Sequence, residues 1–136
     1  MVKELLNLYG ATDGTSATGT FSLSGDMLYS SVDYIRIPKG MKAKIWIKKL
    51  SAEVATTISI EMTHDITATT PWSSPTTLAT IRLLSAGETL EDTRRPLIVR
   101  GFTGNEAIRV TWSQSTAGNA SVELTVELVE DADPPF

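Results

Sequence analysis

The chain has 136 residues, a net charge of −4 and a pI near 4.9, which argues against whole-surface attraction to nucleic acid or anionic lipid and leaves room only for a local basic patch. With 41% hydrophobic and 21% charged residues it is neither disordered nor a membrane protein by composition, and its length matches one domain spanning 1–136. Cysteine is absent, so disulfides, thiolate metal sites and cysteine nucleophiles are excluded. No apolar run approaches the ~20 residues needed to cross a bilayer. The opening Met1 to Leu8 has Glu4 beside its only lysine and too short an apolar stretch for a signal peptide, so synthesis in the cytoplasm without a signal peptide is expected.

Residues 10–19, small and polar with three glycines, read as a loop that sets an N-terminal arm (1–18) apart from the main body. Phe21 and Leu23 alternate with Ser22 and Ser24, which predicts a short strand near 19–24. Val32 to Ile37 is rich in β-formers and stops at Pro38-Lys39-Gly40, a turn that predicts a hairpin with the next run. In that run Met41, Ala43, Ile45 and Ile47 share one face, and Lys42, Lys44, Trp46 and Lys48 share the other. Val54, Thr56, Ile58, Ile60 and Met62 form the apolar side of the next strand. A broken Thr/Pro/Trp stretch from Asp65 to Pro75 reads as a loop, and Leu78 to Leu84 resumes the β pattern.

Residues 84–92 are either a helical turn with Ser85 and Glu88 at capping-box spacing or a polar loop. Leu97 to Phe102 and Ile108 to Trp112 read as a second hairpin. Ala120, Val122, Leu124, Val126 and Leu128 alternate strictly with Ser121, Glu123, Thr125 and Glu127. The prolines and charges of 131–136 predict a tail. About seven to eight strands with no 3.6-residue period predict an all-β fold, an antiparallel β-sandwich or jelly roll.

Catalytic residues are expected to be none. His64 is the only histidine, and Asp65 beside it on a strand would point to the opposite face, a poor arrangement for a triad; no Gly-x-Ser-x-Gly elbow accompanies it. Glu61, Glu123 and Glu127 suggest a glycosidase pair but fall on the polar sides of their strands, where a solvated sheet face explains them. Asp131 and Asp133 are too few oxygens for a hard cation. Neither a P-loop nor a dinucleotide fingerprint is present. No metal and no cofactor are expected.

The face Lys42, Lys44, Trp46, Lys48, extended by Arg36, admits three readings. It is an exposed strand that lysines protect from edge pairing, a surface that docks on an acidic protein with Trp46 as anchor, or a nucleic-acid grip, which the net charge disfavours. Trp72, in the loop Pro71-Trp72-Ser73-Ser74-Pro75, either offers an exposed ring to sugar or protein or caps the end of the sandwich. Trp112, in phase with Ile108 and Val110, reads as core.

Residues Thr57 to Leu83, with Met62-Thr63-His64-Asp65 leading into the loop and Thr77-Leu78-Ala79-Thr80-Ile81 returning from it, resemble the hairpins of small accessory virion proteins of tailed prokaryotic viruses. Arg100 to Asn105 leading into Arg109-Val110-Thr111-Trp112 does the same. The resemblance implies a non-enzymatic virion structural protein, a head-decoration or minor capsid type, found in the virion and working through homo-oligomeric contacts or contacts to a major capsid protein. Protein-interaction residues are then expected at Lys42, Lys44, Trp46, Lys48, Trp72 and Phe136. The competing reading is a carbohydrate-binding β-sandwich module, which uses the same fold class and exposed tryptophans.

Overall fold

In the strand from Ala120 to Glu130, Val122, Leu124, Val126 and Leu128 are buried, while Ser121, Glu123, Thr125 and Glu127 face away from the core. A strand with one apolar side must cover it with a second layer, and here the second layer is another sheet. The computed structural model describes residues 3–83, 86–91 and 95–131. Its strands, in chain order, are β1 (Lys3–Ala11), β2 (Thr18–Thr20), β3 (Ser22–Gly25), β4 (Ile35–Arg36), β5 (Met41–Ala52), β6 (Thr56–Thr63), β7 (Thr76–Leu83), β8 (Thr89–Leu90), β9 (Leu97–Arg100), β10 (Ala107–Gln114) and β11 (Ala120–Glu130).

Sheet A has the order β3-β1-β11-β5, with β8 and β9 both lying along the far edge of β5. Sheet B has the order β2-β10-β6-β7, with β4 also on β10. Every pairing is antiparallel, as the alternation predicts. One continuous core fills the space between the sheets, with Leu8, Ile45, Leu50, Leu124 and Leu128 from sheet A meeting Ile35, Ile58, Ile60 and Ile108 from sheet B. Among the described residues no helix is long and apolar enough to cross a membrane.

Several expectations change. Residues 3–11, read as part of an arm, form β1 within sheet A, paired with β11 on one side and β3 on the other. Leu6 and Leu8 are buried, a period-two signal that the outward Leu5 conceals. The strand expected near 19–24 splits at Phe21, because β2 pairs with β10 in sheet B whereas β3 pairs with β1 in sheet A. Phe21 is fully buried at this crossing, its ring edge-on to Trp112 at 5.3 Å. Trp112 is core as expected, and its Nε1 donates to the Ser16 carbonyl at 3.1 Å. Gly19 lies under the same indole, where a Cβ would come within 2.5 Å of the ring.

Neither expected hairpin forms. Pro38-Lys39-Gly40 turns the chain, but β4 before it belongs to sheet B and β5 after it to sheet A. Likewise β9 pairs with β5 and β10 with β6, so residues 101–106 carry the chain from one sheet to the other. A turn signal fixes where a chain bends, and only long-range packing fixes which sheet it joins. Of the 84–92 segment, Ser85 lies outside the described residues, while Thr89–Leu90 is the short β8. Residues 132–136 of the expected tail also lie outside them; Asp131 donates its N–H to the Gly40 carbonyl at 2.9 Å, and its carboxylate stands 3.6 Å from Arg100 Nε.

Candidate functional site

The outer face of sheet A brings together most of the residues singled out in the sequence. Lys42, Lys44 and Trp46 project from β5 as expected, each half-buried against its neighbours. Lys48 departs from the pattern. The register between β5 and β11 pairs Ile47 with Leu124 and Lys49 with Glu123, so Lys48 is the extra residue of a β-bulge and is exposed. Beyond the bulge the phase flips, and Leu50 and Ala52 turn inward. Since β5 lies between β11 on one side and β8 and β9 on the other, its lysines protect no open edge. Arg36 does not extend this face, for it belongs to sheet B and donates to the Gly104 carbonyl at 2.6 Å and to Asn105 Oδ1 at 2.7 Å.

The register also shows what surrounds those lysines. Lys44 lies opposite Glu127 and Lys49 opposite Glu123, so carboxylates of β11 alternate with ammonium groups of β5. Lys42 instead lies opposite Val129 on one side and Arg100 on the other, so the face carries two opposed charge pairs beside one pair of neighbouring cations, and its mixed sign weakens the electrostatic argument for nucleic acid. Interspersed with the charges are large apolar groups: Leu5 is 56% exposed, Tyr9 48% and Ile98 56%. One row runs Leu5, Glu127, Lys44, Ile98 across β1, β11, β5 and β9; the adjacent row runs Asn7, Thr125, Trp46. Thr125 donates its hydroxyl to Asn7 Oδ1 at 3.3 Å, which knits the second row together.

The outer face of sheet B differs in chemistry. Thr57, Ser59, Thr80, Thr111 and Ser113 give it a hydroxyl surface, on which Thr111 donates to the Ser59 carbonyl at 3.4 Å. At one end Arg109 reaches Glu61 Oε1 through Nε at 2.9 Å, and its guanidinium carbon lies 4.5 Å from the centre of the Trp72 ring. Trp72 is thus half-buried and held to the sheet, a cap on this end of the sandwich with part of its ring still accessible. The loop that carries it is pinned at both sides: Ile66 N–H donates to the Asn105 carbonyl at 2.8 Å, and the Thr63 hydroxyl donates to the Pro71 carbonyl. Asp65 accepts from the Thr67 hydroxyl and N–H, hydrogen bonds that hold its carboxyl below the ordinary carboxylate value. A cleft of about 370 Å³ opens there, between Trp72, Pro71, Ile66, Tyr34, Asp33, Thr20 and Arg109.

The remaining candidates are scattered. His64 is exposed, and Asp65 is engaged with Thr67. Glu61 lies on the outer face of sheet B, opposite Glu123 and Glu127 on that of sheet A, and those two are four residues apart along β11, roughly 13 Å, with Thr125 between them on the same face. Asp133 and Phe136 lie outside the described residues. Among the described residues no three His, Asp or Glu side chains gather as a metal would require.

Two features went unnoticed in the sequence. Leu5 and Tyr9 were overlooked because their segment read as an arm, although the Leu6/Leu8 period marks them as the outward side. Glu106 is 4% exposed and anchors the crossing between sheets. Its carboxylate accepts from the N–H groups of Phe102, Thr103 and Gly104, each at 3.2 Å, and from the Thr103 hydroxyl. Burial raises its affinity for a proton, but the hydrogen bonds from its own amide, Thr103 and Phe102 prevail and hold it below the ordinary value. The Thr103-Gly104-Asn105 turn three residues before an acidic side chain was the available signal.

No protein-family model matches the chain, and no curated protein matches it by sequence. Solved structures do. Murine APRIL superposes with a TM-score of 0.59 at 13% identity, over 91% of this chain and 98% of that one. The Eiger TNF of S. frugiperda gives 0.55 at 9% identity, over 97% and 96%. A chain in the structure of infectious bursal disease virus Gx strain gives 0.44 at 9% identity, over 99% of this chain and 35% of that one, a likeness too loose to argue from. At these identities the likeness concerns the fold alone: the chain is a jelly-roll β-sandwich.

Proposed function

We propose that this chain is a non-enzymatic structural protein that works by protein-protein contact, joining copies of itself or a larger shell through the outer face of sheet A. The observation that carries this reading is the set Leu5, Tyr9 and Ile98, exposed by about half on a face where Lys44 and Lys49 lie opposite Glu127 and Glu123. Large apolar groups on a sheet cost free energy in water and gain it on burial, at about 25 cal/mol per Å². β1, β11 and β5, each nine residues or longer, with the four-residue β3 and β9 at the edges, give this face on the order of 600 Å² at ~4.8 Å between strands and ~3.4 Å per residue, somewhat below the ~800 Å² each partner contributes to a standard interface. The particular role is decoration or cementing of a capsid, which the likeness of the Thr57 to Leu83 hairpin to those of accessory virion proteins supports; the Arg100 to Trp112 segment, which crosses between sheets, adds nothing to it.

Trp46 is the expected anchor, being aromatic, central and flanked by Lys44 and Thr125. Sedimentation velocity of the intact chain, alone and with purified virus-like particles, tests the reading. Trp46→Ala and Leu5→Asp should each weaken association by roughly 2 kcal/mol, about 30-fold, with little change in melting temperature. Thr80→Asp on the other sheet should leave association intact. A chain that stays monomeric and ignores particles at high micromolar concentration overturns the proposal.

A further inference from the structure

We infer that the cleft between Trp72, Tyr34, Asp33 and Arg109 binds a neutral saccharide, as a second site separate from the assembly face and independent of that reading. Its volume, about 370 Å³, lies in the lower part of the roughly 300–1,000 Å³ range of small-molecule clefts. Two aromatic side chains, Tyr34 and Trp72, line it together with Pro71 and Ile66, giving apolar walls against which the C–H face of a pyranose packs.

The polar groups select the chemistry. Asp33 supplies acceptors, Tyr34 and Thr20 supply hydroxyls that both donate and accept, and Arg109 supplies guanidinium donors beyond the Nε held by Glu61. This mixture suits vicinal hydroxyl groups, each of which is at once donor and acceptor. An anionic ligand fits poorly, since the one cation is already matched by Glu61 and Asp33 stands exposed at the same cleft. Phosphate, sulfate and carboxylate groups would meet that carboxylate.

The walls are also fixed before any ligand arrives, which lowers the ordering cost of binding. The Ile66 and Thr63 hydrogen bonds pin the loop, and the Arg109 guanidinium fixes the plane of Trp72. The site lies on sheet B beside the hydroxyl-bearing face, away from Trp46 on sheet A.

The test uses the full chain with a panel of neutral oligosaccharides built from glucose, galactose, mannose, xylose and N-acetylglucosamine units, with inorganic phosphate and a sulfated glycan as contrasts. Binding is followed by tryptophan fluorescence and by the indole N–H resonances. A saturable response to at least one neutral glycan is expected, weakened tenfold or more in Trp72→Ala and unchanged in Trp46→Ala. Asp33 is exposed, so Asp33→Asn will fold and should weaken the same binding several-fold even if Trp72→Ala proves unstable. The inference is overturned if no neutral glycan binds, if only phosphate or the sulfated glycan binds, or if binding survives both Trp72→Ala and Asp33→Asn. Failure here leaves self-association untouched, and failure of self-association leaves this site standing.

Discussion

The two outer faces of the sandwich are built on the same pleat and carry opposite solutions to exposure. Sheet A shows water Leu5, Tyr9, Ile98 and part of Trp46 among opposed lysines and glutamates. Sheet B shows it Thr57, Ser59, Thr80, Thr111 and Ser113, groups that water satisfies readily, and gathers its aromatic chemistry into one cleft at the end. A hydroxyl face gains little by burial, whereas a face with half-exposed Leu, Tyr and Ile gains much. On this difference rest the two proposals, association through sheet A and small-ligand binding at the end of sheet B.

The most severe way to break this comparison is to invert a face. Ile60 is fully buried on β6 and its neighbour Ser59 points outward. Ile60→Asp places an unpaired charge in the core and should remove 4 kcal/mol or more, roughly the stability of a marginal domain. Ser59→Asp should stay within about 0.5 kcal/mol. Thermal and urea unfolding of the two variants checks this directly; equal destabilisation would mean that the assignment of inner and outer sides of sheet B is wrong.

A smaller effect tests how the two sheets are tied together. Glu106 holds the 101–106 crossing between β9 of sheet A and β10 of sheet B. Glu106→Gln replaces an acceptor oxygen by an NH₂ facing the N–H groups of Phe102, Thr103 and Gly104. It should cost about 1.5–3 kcal/mol at neutral pH. Because the folded carboxyl titrates below its ordinary value of 4.5, its contribution is fully present above that value and is lost as pH falls through the lower, folded-state value. The stability gap between wild type and Glu106→Gln, from urea midpoints, should therefore be constant from pH 7 to 6 and close in acid. A gap that persists unchanged at the lowest pH would show that the loss is steric.

What the sequence discloses here is face, and what it withholds is partnership. Alternation in β11 located the inward residues correctly because that strand is buried on one side only; in β6 it holds from Thr56 to Ile60 and fails at the end, where Thr63 is buried and Met62 only partly so. The same period cannot say which sheet a strand enters, so Pro38-Lys39-Gly40 read as a hairpin turn where the chain in fact crosses between sheets. The bulge at Lys48 left a trace, since apolar residues shift from odd positions at Ile45 and Ile47 to even positions at Leu50 and Ala52. That Arg109 points away from the core was legible from its phase with Val110. That it meets Trp72, 37 positions earlier in a loop without periodicity, was not.

The subtlest difference between the faces lies in that last contact. Arg109 and Glu61 keep side-chain exposures of 22% and 18%, so solvent screens much of their attraction, and the guanidinium–indole pair is expected to contribute only about 0.5–1 kcal/mol. A double-mutant cycle of Arg109→Gln and Trp72→Leu, read by urea unfolding, should recover a coupling of that size. The same cycle on Trp46 and Lys44, neighbours on the outer side of β5, gives the comparison for sheet A, where coupling should be nearer zero. Coupling at Arg109 and Trp72 indistinguishable from zero would mean that the Ile66 and Thr63 hydrogen bonds alone hold the loop in place. The cleft would then owe its shape to the backbone, and a ligand rather than the arginine would have to orient the indole.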